Sequence, residues 1–129
     1  MARILIIDDD DALRGVIAQN LELAGHTAIE ASDGRQGVDV FHVTKIDLVL
    51  TDLVMPGKEG VETIIELHRE RPDLPIIAMS GGMPRSAMYL EIAAKLGARR
   101  ALAKPFTPQE LLKAIDEVLA EPPPKHPGT

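Results

Sequence analysis

Residues 4–11 read Ile-Leu-Ile-Ile-Asp-Asp-Asp-Asp, a short aliphatic run that stops at four consecutive aspartates. An unbroken aliphatic run of this length favours a strand that is covered on both faces, as in a parallel sheet. Several carboxylates close together repel one another, so their position directly after the strand calls for a chemical reason. The stretch therefore predicts a buried strand with an acidic loop at its carboxyl end.

The rest of the chain repeats this alternation of a short apolar run and a longer amphipathic segment. The predicted strands are Ile4–Asp8, Thr27–Ala31, Asp47–Asp52, Ile76–Ser80 and Arg100–Lys104. Apolar residues spaced three and four apart predict helices between them, and Thr107 with Glu110 forms a capping box that starts the last helix at Pro108. This alternation predicts an α/β fold, in which one parallel sheet is covered by helices on both faces.

The composition is that of an ordinary globular protein, with 129 residues, of which 45% are hydrophobic and 26% charged. The net charge of -6 argues against nucleic-acid binding, which needs a surface of clustered Lys or Arg. The lack of cysteine excludes disulfides and thiolate metal sites. No apolar run has the length of a signal peptide core or a transmembrane span, so we expect a cytoplasmic protein that does not contact the membrane.

Proline marks a boundary near residue 121. Residues 122–127 read Pro-Pro-Pro-Lys-His-Pro, which cannot continue a helix and is typical of an extended segment. We therefore expect one domain over residues 1–121 and a proline-rich tail or linker over residues 122–129. Such an ending suits both a single-domain protein and a part of a longer one, and we favour the stand-alone protein.

Reactive side chains stand at the carboxyl ends of four predicted strands, and these are Asp8 with Asp9, Asp52, Ser80 and Lys104. Ligands bind in the crevice at that edge of open α/β sheets, and a strand order of 2-1-3-4-5 would place these residues side by side. Three carboxylates in one crevice repel, and a divalent cation would remove the repulsion. Oxygen ligands without Cys or clustered His favour a hard ion such as Mg²⁺.

The same residues include the parts that phosphoryl transfer needs. Asp52 is a carboxylate nucleophile, Lys104 is a positive charge for it and for a phosphoryl oxygen, and Ser80 can donate a hydrogen bond to another such oxygen. Asp10 and Asp11 are interpreted as favourable charges at the amino end of the first helix. The four histidines share no metal-ligand spacing and are expected at the surface.

Four motifs, in this order, resemble the receiver domain of bacterial two-component response regulators. They are Ile4-Leu5-Ile6-Ile7-Asp8-Asp9-Asp10, Asp52-Leu53-Val54-Met55-Pro56-Gly57 followed by Gly60, Ser80-Gly81, and Lys104-Pro105-Phe106. One such motif alone is weak, whereas four at suitable spacing over residues 3 to about 120 are specific. The resemblance implies a three-layer, flavodoxin-like (βα)5 fold with a five-stranded parallel sheet in the order 2-1-3-4-5.

The resemblance also implies what the acidic residues do. A sensor histidine kinase or a phosphotransfer protein would supply a phosphoryl group to Asp52. Mg²⁺ would be contacted by Asp9, by Asp52 and by the backbone carbonyl of Val54, and by Asp8 through water. The domain would promote its own phosphorylation and dephosphorylation, without turnover of a separate substrate.

Other residues match the family's phosphoryl-binding and switch positions, namely Ser80, Gly81 and Lys104, and the Lys104–Pro105 bond is expected to be cis. Phosphorylation would change the conformation of the domain and so signal to a downstream protein. The domain itself would not contact nucleic acid. It would act as a monomer or as a weak dimer linked to phosphorylation.

One position departs from the family pattern. The family usually has an aromatic residue three positions before the lysine, and its rotation helps to report phosphorylation, but this chain has Ala101. The preceding helix is apolar around most of its circumference and should expose apolar surface. We therefore predict a partner surface that includes Tyr89, Ile92, Arg100 and Ala101, in which Tyr89 either shifts on phosphorylation or is merely packed.

Two other functions match parts of this sequence pattern. A Mg²⁺-dependent phosphohydrolase of the haloacid-dehalogenase type also uses an aspartate after a first strand, and Asp8 and Asp10 fit its pattern, but Ala12 does not. A receiver-like scaffold that binds partners without phosphorylation is the second alternative. The complete acidic set and Lys104 argue against that scaffold.

Overall fold

The computed structural model describes residues 1–53, 59–81 and 86–121, except for the side chains of residues 59 and 86–90. Five parallel strands form one sheet, and five helices connect and cover them. The strands are β1 (Arg3–Ile7), β2 (Thr27–Ala31), β3 (Leu48–Asp52), β4 (Ile76–Gly81) and β5 (Arg100–Lys104). The helices are α1 (Asp11–Leu23), α2 (Gly34–Val43), α3 (Glu59–Glu70), α4 (Ser86–Leu96) and α5 (Pro108–Ala120).

The strand order is β2-β1-β3-β4-β5, and every neighbouring pair is parallel, which confirms the predicted fold. The predicted bounds of β1, β3 and β4 are wrong by one residue at the ends. Asp8 lies just past β1, with its N–H still donating to the carbonyl of Ala31 at 3.2 Å. At the other end of the sheet, the carboxylate of Asp47 accepts from the N–H of Arg3 at 2.8 Å.

Alternating strand residues feed two hydrophobic layers, one on each face of the sheet. In β1, Leu5 and Ile7 pack with residues of α2, α3 and α4, whereas Ile4 and Ile6 pack with residues of α1 and α5. All four of these side chains are fully buried. A strand covered on both faces needs an unbroken apolar run, which is why residues 4–7 have no polar position.

Side-chain caps set the start of helices that border the carboxyl edge of the sheet, among them α1 and α5. Asp10 precedes α1, and its carboxylate accepts from the N–H of Leu13 at 3.1 Å. Thr107 precedes α5, and its hydroxyl accepts from the N–H of Glu110 while the Glu110 carboxylate accepts from the N–H of Thr107. The predicted capping box is thereby confirmed, and both caps fix where the loops above the sheet turn into helix.

Within the described ranges, no helix combines the length and apolar character that crossing a bilayer requires.

Candidate functional site at the carboxyl edge of the sheet

The order of the strands brings the ends of β1, β3, β4 and β5 next to one another. Asp8 follows β1, Asp52 is the last residue of β3, Ser80 is near the end of β4, and Lys104 is the last residue of β5. The second strand, β2, forms the outer edge beyond β1, as predicted. Parallel strands all present their carboxyl ends at the same edge, so residues distant in sequence share one crevice.

Three of the predicted metal ligands form one carboxylate cluster. Oxygen atoms of Asp8, Asp9 and Asp52 all lie within 4.8 Å of one another. Asp8 is fully buried and Asp52 is 6% exposed, whereas Asp9 faces solvent. Two buried carboxylates beside a third are costly without a compensating cation, so the donor set fits a hard divalent metal ion.

Lys104 supplies a positive charge to this cluster. Its Nζ lies 2.9 Å from Oδ2 of Asp8 and 3.4 Å from Oδ2 of Asp52. Burial lowers the pKa of the Lys104 ammonium, but the hydrogen bond to Asp8 and the charges of Asp52 and Asp8 outweigh burial, and the pKa is raised. The lysine therefore stays charged at neutral pH and partly neutralises the carboxylates.

Asp8 is fixed through all of its polar groups. Its N–H donates to Ala31, Oδ1 accepts from the N–H of Asp10 at 2.9 Å, and Oδ2 accepts from Lys104. Its backbone carbonyl accepts from Nη1 of Arg14 at 2.6 Å. The buried carboxylate consequently has a single orientation, towards Lys104 and the crevice.

The hydroxyl of Ser80 is buried. The residue is 0% exposed, and among the described residues its Oγ has no partner within hydrogen-bonding distance. A hydroxyl left in this state is destabilising, because it has lost its bonds to water. It lies one residue beyond Met79, which is in register with Asp52, so an acceptor that arrives at this edge of the sheet would find a donor already in place.

Gly81 packs closely against the backbone of Lys104 and leaves no room for a side chain. A Cβ built on Gly81 would lie 2.8 Å from the carbonyl oxygen of Lys104 and 2.9 Å from its Cα. A side chain at this position would have to push the two strands apart and would move the ammonium group. The predicted cis bond between Lys104 and Pro105 is confirmed.

The structure describes only some of the residues predicted to bind the metal ion and to form the partner surface. Val54 lies outside the described residues, and so does the side chain of Tyr89. In the predicted partner surface, Ile92 is 37% exposed, Ala101 is exposed, and Arg100 forms an ion pair with Glu121 at 3.2 Å. Ile92 lies on α4, and Arg100 and Ala101 lie on β5.

Sequence reasoning missed Arg14, which contacts the acidic loop. Its side chain is 14% exposed, and its guanidinium also pairs with Asp11 and Glu30. Burial lowers the pKa of Arg14, but hydrogen bonds and charges from those two carboxylates outweigh it and raise the pKa. The sequence does place Arg14 three residues after Asp11 on a predicted helix, a spacing that indicates an ion pair between them. Nothing in the sequence indicates that Arg14 also contacts the backbone carbonyl of Asp8.

Cavities are present both at the crevice and elsewhere. A cavity of about 410 Å³ adjoins the crevice and is lined by Leu13, Gly81, Lys104, Pro105 and Phe106. A larger one of about 610 Å³ lies between α2 and α3, with charged walls that include Arg35, Glu62 and Arg69. The described residues that line the larger cavity include none of Asp8, Asp52, Ser80 and Lys104, so volume alone does not locate the chemistry here.

Comparison with known proteins gives one consistent result. The sequence matches the response regulator receiver domain over residues 4–116. It is 35% identical over 117 residues to the chemotaxis protein CheY of Thermotoga maritima, covering 90% of this chain and 96% of that protein. It is 37% identical over 120 residues to the phosphate regulon transcriptional regulatory protein PhoB of Pseudomonas aeruginosa, covering 90% of this chain but only 51% of that protein.

Solved structures agree with this match. The crystal structure of a CheY-like response regulator receiver domain protein from Methanospirillum hungatei JF-1 has a TM-score of 0.85 and 31% identity to this chain. The match covers 92% of this chain and 94% of that chain. This agreement places the five strands and their connections in one known architecture.

The fold and the site together define a class of protein: a parallel α/β domain with clustered carboxylates and a lysine at one edge of its sheet. Within this class, the chain belongs to the receiver domains of response regulators in two-component systems. This is not a conventional enzyme family, and phosphorylation and Mg²⁺ binding are general to it.

Proposed function

We propose that this receiver domain accepts a phosphoryl group on Asp52, with Mg²⁺ bound by the adjacent carboxylates, and changes conformation to signal to a protein partner. The observation that carries the proposal is the placement of Asp52 beside the carboxylates of Asp8 and Asp9 and within reach of the Lys104 ammonium group. Lys104 lies 3.4 Å from the Asp52 carboxylate, and oxygen atoms of Asp8 and Asp9 are within 4.8 Å of it.

Each residue has a role in the transfer. A carboxylate oxygen of Asp52 forms a bond to phosphorus as the bond to the donor breaks, and the donor leaves with that electron pair. Lys104 moves its interaction towards a phosphoryl oxygen, and the buried hydroxyl of Ser80 donates to another. Positioning and charge neutralisation dominate this type of reaction, since little other covalent chemistry is required.

Mg²⁺ would be held by Asp9, by Asp52 and by the backbone carbonyl of Val54, with Asp8 acting through water. When bound, it would neutralise negative charge on the carboxylates and on the phosphoryl oxygens. The three carboxylates support this part of the proposal because a cation with oxygen ligands offsets their mutual repulsion.

The donor would be a sensor histidine kinase or a phosphotransfer protein in the cytoplasm. Apolar Leu13, Pro105 and Phe106 line the cavity beside Lys104 and offer a protein donor a surface close to Asp52.

The phosphorylated domain would contact a downstream protein through α4 and β5, where Ile92 and Ala101 are exposed. In this proposal residues 1–121 form the receiver domain and residues 122–129 a proline-rich tail or linker.

The test is incubation with acetyl phosphate and Mg²⁺, followed by intact-mass measurement. The wild-type protein should gain one phosphoryl group, and chelation of Mg²⁺ or the substitution Asp52→Asn should abolish the gain. Asp39→Asn, which changes an exposed aspartate on α2, is the matched control and should react like the wild type. Absence of a phosphoryl adduct on the wild type, or its persistence in Asp52→Asn, would favour a receiver-like scaffold or another acceptor.

A further inference from the structure

Arg14 uses three guanidinium nitrogens to join three parts of the chain. Nη1 donates to the backbone carbonyl of Asp8 at 2.6 Å, Nη2 lies 2.7 Å from Oδ1 of Asp11, and Nε donates to Oε1 of Glu30 at 3.1 Å. These acceptors lie just past β1, at the start of α1 and on β2. A planar guanidinium spreads its donors over three nitrogens and so reaches three separate acceptors, whereas an ammonium group has all its donors on one atom.

The Asp8 carbonyl is a group that the sheet does not bind. The ladder between β1 and β2 ends at the pair Ile7 and Ala31, and the ladder between β1 and β3 ends at Ile7 and Thr51. The carbonyl that follows therefore needs a partner from elsewhere, since a buried carbonyl without a hydrogen bond is destabilising. Arg14 is that partner.

Through this bond, Arg14 holds the peptide unit that leads into Asp9. The Asp8 carbonyl and the Asp9 nitrogen belong to one planar peptide unit, so a bond that holds the carbonyl also holds the start of Asp9. In the described part of the chain, Asp8 has direct partners for its carboxylate, but Asp9 is exposed and no hydrogen bond to its carboxylate is seen. The position of the Asp9 carboxylate thus depends on the backbone of the loop.

We propose that Arg14 is a positioning residue for the cation site, which holds the Asp8–Asp9 peptide so that the Asp9 carboxylate faces Asp8 and Asp52. This inference rests on the proposed function. Arg14 does not contact the cation in this scheme. Its guanidinium acts through the peptide, with Glu30 and Asp11 holding the guanidinium in place.

The charge of Arg14 and its geometry have opposite effects on cation binding, which makes the proposal testable. A positive charge near the cluster repels a cation, so removing it should strengthen Mg²⁺ binding if charge alone mattered. Loss of the peptide anchor should weaken binding, because the Asp9 carboxylate would no longer be held in place. Loss of groups that orient metal ligands typically costs 10- to 100-fold in affinity.

The experiment measures the Mg²⁺ dissociation constant of the unphosphorylated full chain by calorimetric titration with MgCl₂. Arg14→Met should raise the dissociation constant about tenfold, and Arg14→Lys, which keeps the charge, should raise it at least about threefold. Arg69→Met removes an exposed arginine from the last turn of α3 and should bind Mg²⁺ like the wild type. In metal-free protein, amide exchange at Asp10, whose N–H donates to Asp8, should be faster in Arg14→Met.

Equal or tighter Mg²⁺ binding by Arg14→Met would overturn the proposal. If that variant does not fold, Arg14→Lys decides, and an affinity within about twofold of the wild type overturns it. Phosphorylation is measured separately. A wild-type protein that binds Mg²⁺ but gains no phosphoryl group would contradict the proposed function, whereas the Arg14 result would still decide the positioning role.

Discussion

The ammonium group of Lys104 donates a hydrogen bond to the carboxylate of Asp8 at 2.9 Å, across 96 positions of sequence. Asp8 directly follows β1 and Lys104 ends β5, and β3 and β4 separate these two strands in the sheet. The bond therefore runs over the end of β3, where Asp52 lies, and Lys104 contacts that carboxylate as well. One side chain thus links the first and last strands directly above the proposed acceptor.

Lys104 should make the stability of the metal-free protein depend on pH in the alkaline range. Its pKa in the folded protein is raised above the ordinary value of 10.5, because folding favours the charged form. The stabilisation is therefore fully present below the unfolded pKa, and it is lost as the pH rises through the higher folded pKa. Urea unfolding in chelator from about pH 9 to about pH 12 should show this loss, beginning above about pH 10.5, in the wild type but not in Lys104→Met.

At neutral pH, Lys104→Met should lower the free energy of unfolding by about 2 kcal/mol, since it leaves buried carboxylates without their cation. Lys113→Met removes an exposed lysine from α5 and is the control. If the free energy of unfolding fell equally with rising alkaline pH in the wild type and in Lys104→Met, this account of the lysine would be contradicted.

Ser80→Ala should separate stability from phosphorylation. The substitution removes a buried hydroxyl that has no partner in the described part of the chain, so the free energy of unfolding should stay the same or rise by up to about 1 kcal/mol. The level of phosphorylated protein should be lower than in the wild type, because the phosphoryl group loses a hydrogen-bond donor. Chemical unfolding and the adduct level after acetyl phosphate treatment measure the two effects.

Thr51→Val is the comparison for Ser80→Ala, because the equally buried hydroxyl of Thr51 donates to the Asp52 carbonyl at 3.2 Å. Its removal should lower stability by about 1 kcal/mol. A loss larger than this in Ser80→Ala would show that the Ser80 hydroxyl has a partner in solution.

Gly97→Ala should be among the more destabilising single substitutions. Gly97 has φ +119, and a Cβ there would lie 2.6 Å from Nδ1 of His68. Backbone strain and the clash together should cost about 3 kcal/mol. Gly15→Ala is the matched control, since Gly15 lies in α1 with nothing within 4 Å of an added Cβ, and it should stabilise by about 0.5–1 kcal/mol.

Urea unfolding at neutral pH measures both glycine variants. The double variant His68→Ala with Gly97→Ala should recover the part of the loss that comes from the clash and not the part that comes from φ. Additive losses in the double variant would mean that the imidazole does not oppose the added methyl group.

Thr107→Ala should reduce stability by about 1 kcal/mol, because the amide of Glu110 loses its acceptor at the start of α5. Thr107→Ser keeps the hydroxyl and should be close to the wild type. Thermal unfolding of the two variants side by side measures the difference. Equal midpoints would show that water replaces the cap at no cost.

The sequence predicted the architecture well because the features that determine it are local. The apolar run of residues 4–7, the cap at Thr107 and the proline at 108 each fix an element without knowledge of its neighbours. The residues of the crevice were predicted because strand ends carry them, and the topology brings Asp8, Asp52 and Lys104 together. The ion pairs of Lys104 follow from that topology.

What the sequence did not predict depends on loop geometry and on contacts between distant segments. The contact of Arg14 with a backbone carbonyl has no side-chain signature. His68, expected at the surface, is only partly exposed and has its Nδ1 buried, because Gly97 in another helix–strand connection packs on its ring. Nor could the complete burial of the Ser80 hydroxyl be predicted, since strand-end hydroxyls usually reach water.

Strand β5 has a consequence for the behaviour of the protein at high concentration. It is an outer strand, its exposed residues Ala101 and Ala103 are small, and Arg100 and Lys104 stand at its two ends. An outer strand offers unpaired backbone groups on which a second chain can assemble. If two copies of β5 paired in register, cation would face cation at both ends in either direction, so this arrangement opposes edge-to-edge aggregation.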